Sequence, residues 1–216
     1  MLARLCLNKE DYHLFRNVTL PTEDGTTQID HIVVSRFGIF VIETKNMKGW
    51  IFGSQNQRTW TQKIYKHTNK FQNPLHQNYR HTKTLEDCLD LPDGKIFSVI
   101  VFVGDSTFKT DMPENVVYAS RLNGYIKTRQ EVVLTEEEVS RAILKIEGGR
   151  LIPSLKTRRE HIANVGTSLE KKRNSTVCPR CGSELIVKVA QKGVNRGNEF
   201  LACSGFPRCR YTRNAA

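Results

Sequence analysis

The chain has 216 residues, 38% of them hydrophobic, which suffices for one domain of ordinary size and a small companion. No apolar run approaches the roughly eighteen residues of a membrane span, and the opening MLARLCLNKEDY lacks the apolar stretch of a secretory signal. These absences exclude an integral membrane helix and lead us to expect a cytoplasmic protein with no membrane partner. The net charge of +11 is unevenly shared: residues 151–216 hold 13 Lys/Arg against 4 Asp/Glu, whereas residues 1–150 hold 20 against 18. A tail so basic either meets polyphosphate, releasing its counterions, or is simply a solvated surface.

In chain order, Tyr12 to Leu20 and Thr27 to Val34 read as two strands separated by the turn-forming stretch Pro21 to Gly25. Gly38 to Lys45 (GIFVIETK) is a third, and short strands within Asn46 to Gly53 and Arg58 to Ile64, carrying Trp50 and Trp60, continue a largely antiparallel sheet. A helix follows, with Asn73 as N-cap and Pro74 at the first helical position. Leu75, Tyr79, Thr82, Leu85 and Leu89 are spaced near its period, and Pro92 to Gly94 stops it. Ile96 to Val103 (IFSVIVFV) is apolar nearly throughout, as a strand covered on both faces would be, and Val116 to Ala119 adds another. The pattern Thr135-x-x-Glu138 opens a last helix that Gly148-Gly149 should end. Residues 150–176 are basic and polar, with a short helix near 158–165, and read as a linker.

Four of the six cysteines fall in the last 39 residues; Cys6 and Cys88 stand alone and read as small hydrophobes without a role. Cys178-Pro-Arg-Cys181-Gly places two thiolates three residues apart, where both reach one ion, and Cys203 and Cys209 supply a second pair. Glu184 to Ala190 and Glu199 to Ala202 are the strands between, with Gly193 and Gly197 bounding a turn. Tetrahedral sulfur coordination suits Zn²⁺, and so small a module needs its metal in order to fold.

CPRCG followed by FLACSGFPRCRY resembles the C-terminal zinc-ribbon repeats of bacterial type IA DNA topoisomerases, modules that bind single-stranded DNA. The resemblance covers Val177 to Tyr211 and implies DNA as partner, with no topoisomerase reaction. Phe200, Phe206 and Tyr211 offer stacking faces, and Arg180, Lys188, Lys192, Arg196, Arg208, Arg210 and Arg213 offer phosphate contacts. Phe200 and Tyr211 serve equally well as packing for the ribbon's small core.

Between the second and third strands, Ser35-Arg-Phe-Gly38 forms a tight turn. If Ser35 pairs with Gly38, the register sets Asp30 opposite Glu43, with β-carbons about 4.5–5.5 Å apart and like charges in need of something positive between them. Lys45, two residues beyond Glu43, falls on the same face. Two carboxylates and a lysine so placed suit a divalent cation and phosphodiester hydrolysis; the same residues also occur as a surface ion pair. His31, adjacent to Asp30, faces the other way and suits packing.

The stretch from Asp24 to Asn46, DGTTQIDHIVVSRFGIFVIETKN, with Gly49-Trp50 after it, closely resembles the nuclease-related domain called NERD, over about Tyr12 to Leu89. That resemblance implies an α/β fold of the restriction-endonuclease-like, PD-(D/E)XK type, a mixed sheet flanked by helices. It makes Asp30 and Glu43 ligands of Mg²⁺ or Mn²⁺ and Lys45 the catalytic lysine. The helix NPLHQNYRH puts Gln77 and His81 four apart on one face, where they reach either the site or DNA, or merely solvent. Related nucleases begin with a helix bearing a further acidic residue; few residues precede Tyr12 here, and Glu10 does not obviously replace it.

The expected organisation is a nuclease-like domain at 1–149, a basic linker at 150–176 and a four-cysteine ribbon at 177–216. The expected function is metal-dependent DNA hydrolysis, endo- or exonucleolytic, with the ribbon holding single-stranded DNA and no obvious protein partner. The alternatives are a DNA-binding scaffold with a degenerate nuclease fold and an RNA-processing nuclease.

Overall fold

The computed structural model describes residues 7–8, 10–22, 25–150 and 176–214. Cys6 and the short helix expected near 158–165 lie outside them. The chain divides into two compact units, residues 1–162 and 163–216.

The first unit is built on a five-stranded mixed sheet. Strands β1 (Tyr12–Thr22), β2 (Gly25–Ser35) and β3 (Gly38–Asn46) form an antiparallel meander; β7 (Ile96–Val103) pairs parallel to β3, and β9 (Val116–Tyr118) parallel to β7. The turn expected at Pro21 to Gly25 is tighter than its sequence suggests, because pairing continues through Pro21↔Thr26 to Thr22↔Gly25. Ser35 pairs with Gly38 as the turn requires, and the Ser35 hydroxyl donates to the Gly38 carbonyl at 2.9 Å. Gly38 holds φ +122° with Phe97 packed against it, so a side chain there would be strained and obstructed.

The meander does not run on into one sheet. β4 (Gly49–Phe52), β5 (Thr59–Ile64), β6 (His67–Gln72) and β8 (Ser106–Phe108) make a second sheet in the order β6-β5-β4-β8. The sequence reading missed β6 because HTNKFQ is polar and exposed except for half-buried Phe71; it pairs backbone to backbone with β5 rather than through an apolar face. The break from β3 has a packing cause. Ile51 and Trp60 are completely buried against Ile100 and Phe102 of the first sheet, the Trp60 and Phe102 rings stacking at 6.3 Å.

Helix α1 (Pro74–Leu89) has the expected start: Asn73 accepts from the Leu75 N–H, and its amide donates to three carbonyls of the 54–57 loop. Its buried stripe is Pro74, Asn78, His81, Thr82, Leu85 and Leu89. Tyr79 was expected in that stripe and is instead exposed beneath Lys83. At 100° per residue the stripe that follows Asn78 turns Tyr79 outward. Cys88 is likewise exposed and not a core residue. Helix α2 (Leu122–Lys127), not anticipated, covers the opposite face. Helix α3 (Glu136–Gly149) opens with the complete Thr135–Glu138 capping box and runs through Gly148-Gly149 to a cap at Arg150.

Alternation along β3 sorts these helices. Ile39 and Val41 face a core shared with Leu85, Leu89 and α3, while Phe40 and Ile42 face Leu122 and Ile126 of α2. Among the described residues no helix is long and apolar enough to cross a membrane.

The second unit is a three-stranded antiparallel sheet, β10 (Leu185–Val189), β11 (Glu199–Cys203) and β12 (Thr212–Asn214). Its core is small: Cys178, Leu185, Cys203 and Cys209, with Leu201 and Tyr211 packed beside them.

Candidate active site and metal centre

Beyond Val41, the α1-facing row of β3 continues as Glu43 and then Lys45, so charge replaces hydrocarbon where the row meets the first turns of the helix. Glu43 is only 4% exposed. Lys45 Nζ donates to Glu43 Oε1 at 2.6 Å and to Gln77 Oε1 at 2.8 Å, joining strand to helix. Nε2 of His81, one turn along α1, lies 3.5 Å from Glu43 Oε2, near enough for charge attraction but outside hydrogen-bond geometry. Its Nδ1 meets the Thr27 hydroxyl at 2.8 Å, which orients the ring.

Asp30 lies one position beyond the last paired residues of β2 and β3, His31↔Ile42, and accepts the Thr44 backbone N–H at 2.8 Å. Burial raises its pKa, the Thr44 bond opposes this, and the Glu43 charge raises it further. Burial also acts upward on Glu43, but the His81 and Lys45 interactions outweigh it and leave its pKa below the ordinary value. The result is an ionised Glu43 beside an Asp30 that has no ion-pair partner among the described residues. That donor set fits a hard divalent cation: two carboxylates on facing strands, one of them short of positive charge.

The structure thus brings Asp30, Glu43, Lys45, Gln77 and His81 into one cluster. Sequence reasoning missed two supporting residues. Thr27 fixes His81, and fully buried Asn78 donates to the Val41 carbonyl at 2.9 Å and to Ser98 Oγ at 2.8 Å, pinning α1 across β3 and β7. The available signal for Asn78 was a polar residue at the helical period of Thr82, Leu85 and Leu89. His31 is half-buried, its pKa lowered by burial, and takes no part in the cluster.

In the second unit the sulfurs of Cys178, Cys181, Cys203 and Cys209 all lie within 4.8 Å of one another. The Cys178–Cys209 and Cys181–Cys203 separations are 3.8 and 3.3 Å. Four thiolates about 2.3 Å from a tetrahedral zinc would be about 3.8 Å apart, so the set fits structural Zn²⁺. The two knuckles are bonded turns, Gly182 N–H to Cys178 O at 2.9 Å and Cys209 N–H to Gly205 O at 2.9 Å. Gly182 (φ +75°) makes the first return possible. Hydrogen bonding with Ser183 pulls the Cys181 thiol down to about 6, whereas burial pushes Cys203 up to about 12.

Around this centre Arg180, Lys188, Lys192, Arg196, Arg208 and Arg210 are exposed. Phe206 is 63% exposed with the Lys188 ammonium 5.9 Å from its ring, while Tyr211 packs against the cysteine cluster and Phe200 is half-buried.

Fold and sites together define a two-part chain: an α/β unit with a buried acid–lysine cluster, and a separate four-cysteine ribbon. Residues 1–103 match the family described as nuclease-related domain, NERD, and residues 175–216 match the topoisomerase DNA binding C4 zinc finger. The chain carries a NERD domain followed by a topoisomerase-type zinc ribbon. It is 41% identical over 146 residues to an uncharacterized protein of Bacillus anthracis, covering 64% of this chain and 66% of that protein. It is 42% identical over 41 residues to the uncharacterized protein YrdD of Escherichia coli, covering 19% of this chain and 20% of that protein. The chain therefore spans about two thirds and one fifth of the length of these curated relatives. No solved structure matches it.

Proposed function

We propose that the chain is a metal-dependent deoxyribonuclease whose ribbon holds DNA with single-stranded character. Residues 1–149 form the nuclease domain in this reading, 150–176 the linker and 177–216 the ribbon. The observation that carries it is the convergence of Asp30, Glu43 and Lys45 at the charged end of an otherwise apolar row, with Gln77 and His81 closing over them.

Asp30 and Glu43 hold Mg²⁺ or Mn²⁺, which when bound polarises a phosphate and lowers the pKa of its water. Lys45, kept in place by Glu43 and Gln77, supplies a fixed positive charge for the negative charge that develops on the phosphate oxygens. Gln77 sets the reach of the lysine, and His81, oriented by Thr27, stands 3.5 Å from the far oxygen of Glu43. Exposed Arg180, Lys188, Lys192, Arg196, Arg208 and Arg210 contact phosphates, and Phe206 stacks on a base. The reading places the protein in the cytoplasm.

Purified protein with Mg²⁺ or Mn²⁺, on linear, circular and single-stranded DNA beside Asp30→Ala and Lys45→Ala, tests this. Cleavage by wild type alone supports it. Equal cleavage by both variants removes the site, and no cleavage by any form favours a DNA-binding scaffold. Cleavage of RNA in preference to single-stranded DNA favours the RNA-processing alternative.

A further inference from the structure

Between Glu43 and Glu86 the sequence contains no acidic residue, yet it holds eight Lys/Arg: Lys45, Lys48, Arg58, Lys63, Lys66, Lys70, Arg80 and Lys83. The near-neutral balance of residues 1–150 therefore conceals a segment of one sign. Three of the four strands of the second sheet lie in that segment, and the fourth, β8, is also without Asp or Glu.

Strand alternation divides this sheet by face. Ile51, Trp60 and Phe71 point to the core, so Trp50, Thr61, Lys63 and Lys70 share the outer face, with Trp50 paired to Lys63 and Thr61 to Lys70. Trp50 is 47% exposed, and the Lys109 and Lys63 ammoniums lie 4.8 and 5.8 Å from its ring centroid. An outward indole held between cations, on strands that carry no carboxylate, repels a basic partner and suits a strand of phosphates.

We propose that the outer face of the second sheet is a docking track for single-stranded DNA, with Lys63, Lys70 and Lys109 on its phosphates and Trp50 stacked on an unpaired base. The charge complements the backbone, and an unpaired strand alone presents a base face to the indole. β3 leads directly into β4, so the track begins where Lys45 ends the candidate active site. This inference rests on the nucleic-acid reading above and adds to it a contact surface independent of the ribbon.

Both tryptophans of the chain lie in this sheet, and Trp60 is completely buried, so Trp50 reports on the track without a label. The full chain is titrated with oligodeoxythymidylate in the absence of divalent metal, following tryptophan fluorescence and, separately, anisotropy of a labelled oligonucleotide. The track predicts quenching that disappears in Trp50→Phe. A Lys63→Ala/Lys70→Ala/Lys109→Ala triple variant should lower the slope of log affinity against log salt by about 2. Binding by anisotropy with no quenching and an unchanged salt slope overturns the track while leaving the ribbon reading intact. No binding at all overturns both, and quenching by oligouridylate but not by DNA overturns the choice of DNA.

Discussion

The Lys45 ammonium and the Glu43 carboxylate, two residues apart on one strand, meet at 2.6 Å with Glu43 almost fully enclosed. A pair so placed holds the lysine in one position, and removing either partner leaves the other inadequately compensated. We expect Lys45→Ala to lower any Mg²⁺-supported cleavage roughly 10²–10³-fold, the effect of deleting one preorganised charge-stabilising donor. Steady-state cleavage of a labelled oligonucleotide measures this. Gln77→Ala, which leaves the lysine less well anchored, should cost less than Lys45→Ala; an equal or larger loss would show that Gln77 does more than hold Lys45.

Asp30 tests the competition between function and stability. Its folded pKa is raised, burial being the largest cause, so above its ordinary value of 3.8 folding buries a charge at a cost. Asp30→Asn should therefore raise the melting temperature of the metal-free protein at neutral pH and have little effect near pH 3. Mg²⁺ is expected to raise the melting temperature of the wild type, and the same substitution should abolish that increase. Calorimetry with and without metal at the two pH values checks both signs.

Asn78 is the polar pin between α1 and the sheet. Asn78→Leu keeps the branched shape but removes the donor to the Val41 carbonyl and the Ser98 hydroxyl, and should cost about 2 kcal/mol or more in urea denaturation. Cleavage should fall with it even where the protein remains folded, because Gln77 and His81 ride on the same turn.

Glu138 caps α3 and bonds Lys95 at 2.6 Å, and the Lys95 interaction, followed by the Thr135 backbone N–H, holds its carboxyl below the ordinary 4.5. A depressed carboxyl contributes stability that is present above its unfolded pKa and lost as pH falls through the folded value. The stability difference between wild type and Glu138→Gln should thus be constant at neutral pH, begin to shrink near pH 4.5 and be lost as pH falls through the lower folded value. Thr135→Ala should cost about 1 kcal/mol by removing the other half of the box.

Zinc removal should separate the two units. Chelation, or Cys203→Ser, is expected to release one zinc per chain and unfold the ribbon, since its core is little more than the four sulfurs and Leu185. The cooperative unfolding of the first unit should persist. Metal analysis with differential scanning calorimetry would show one transition lost and the other unchanged.

The Ser35–Gly38 turn, the apolar β3 and the Glu43-x-Lys45 spacing were legible because each depends on residues close in sequence. The capping box at Thr135 and the cysteine knuckles were legible for the same reason. The second sheet was not: Trp50 and Trp60 look like members of one continuing meander, and only the burial of Trp60 against Phe102 shows that β4 and β5 leave the first sheet. Nor does the sequence show that Tyr79 faces water while polar Asn78 and His81 face inward.

By itself, then, the sequence determined the four-thiol zinc set, the strand register and the placement of Asp30, Glu43 and Lys45 on one face, because turn length and strand period fix those locally. The tertiary structure alone decided that α1 crosses that face, delivering Gln77 to Lys45 and His81 to Glu43. It also turned an acid-free stretch of sequence into one cationic sheet face, since the packing of Ile51, Trp60 and Phe71 leaves the lysines and Trp50 pointing outward.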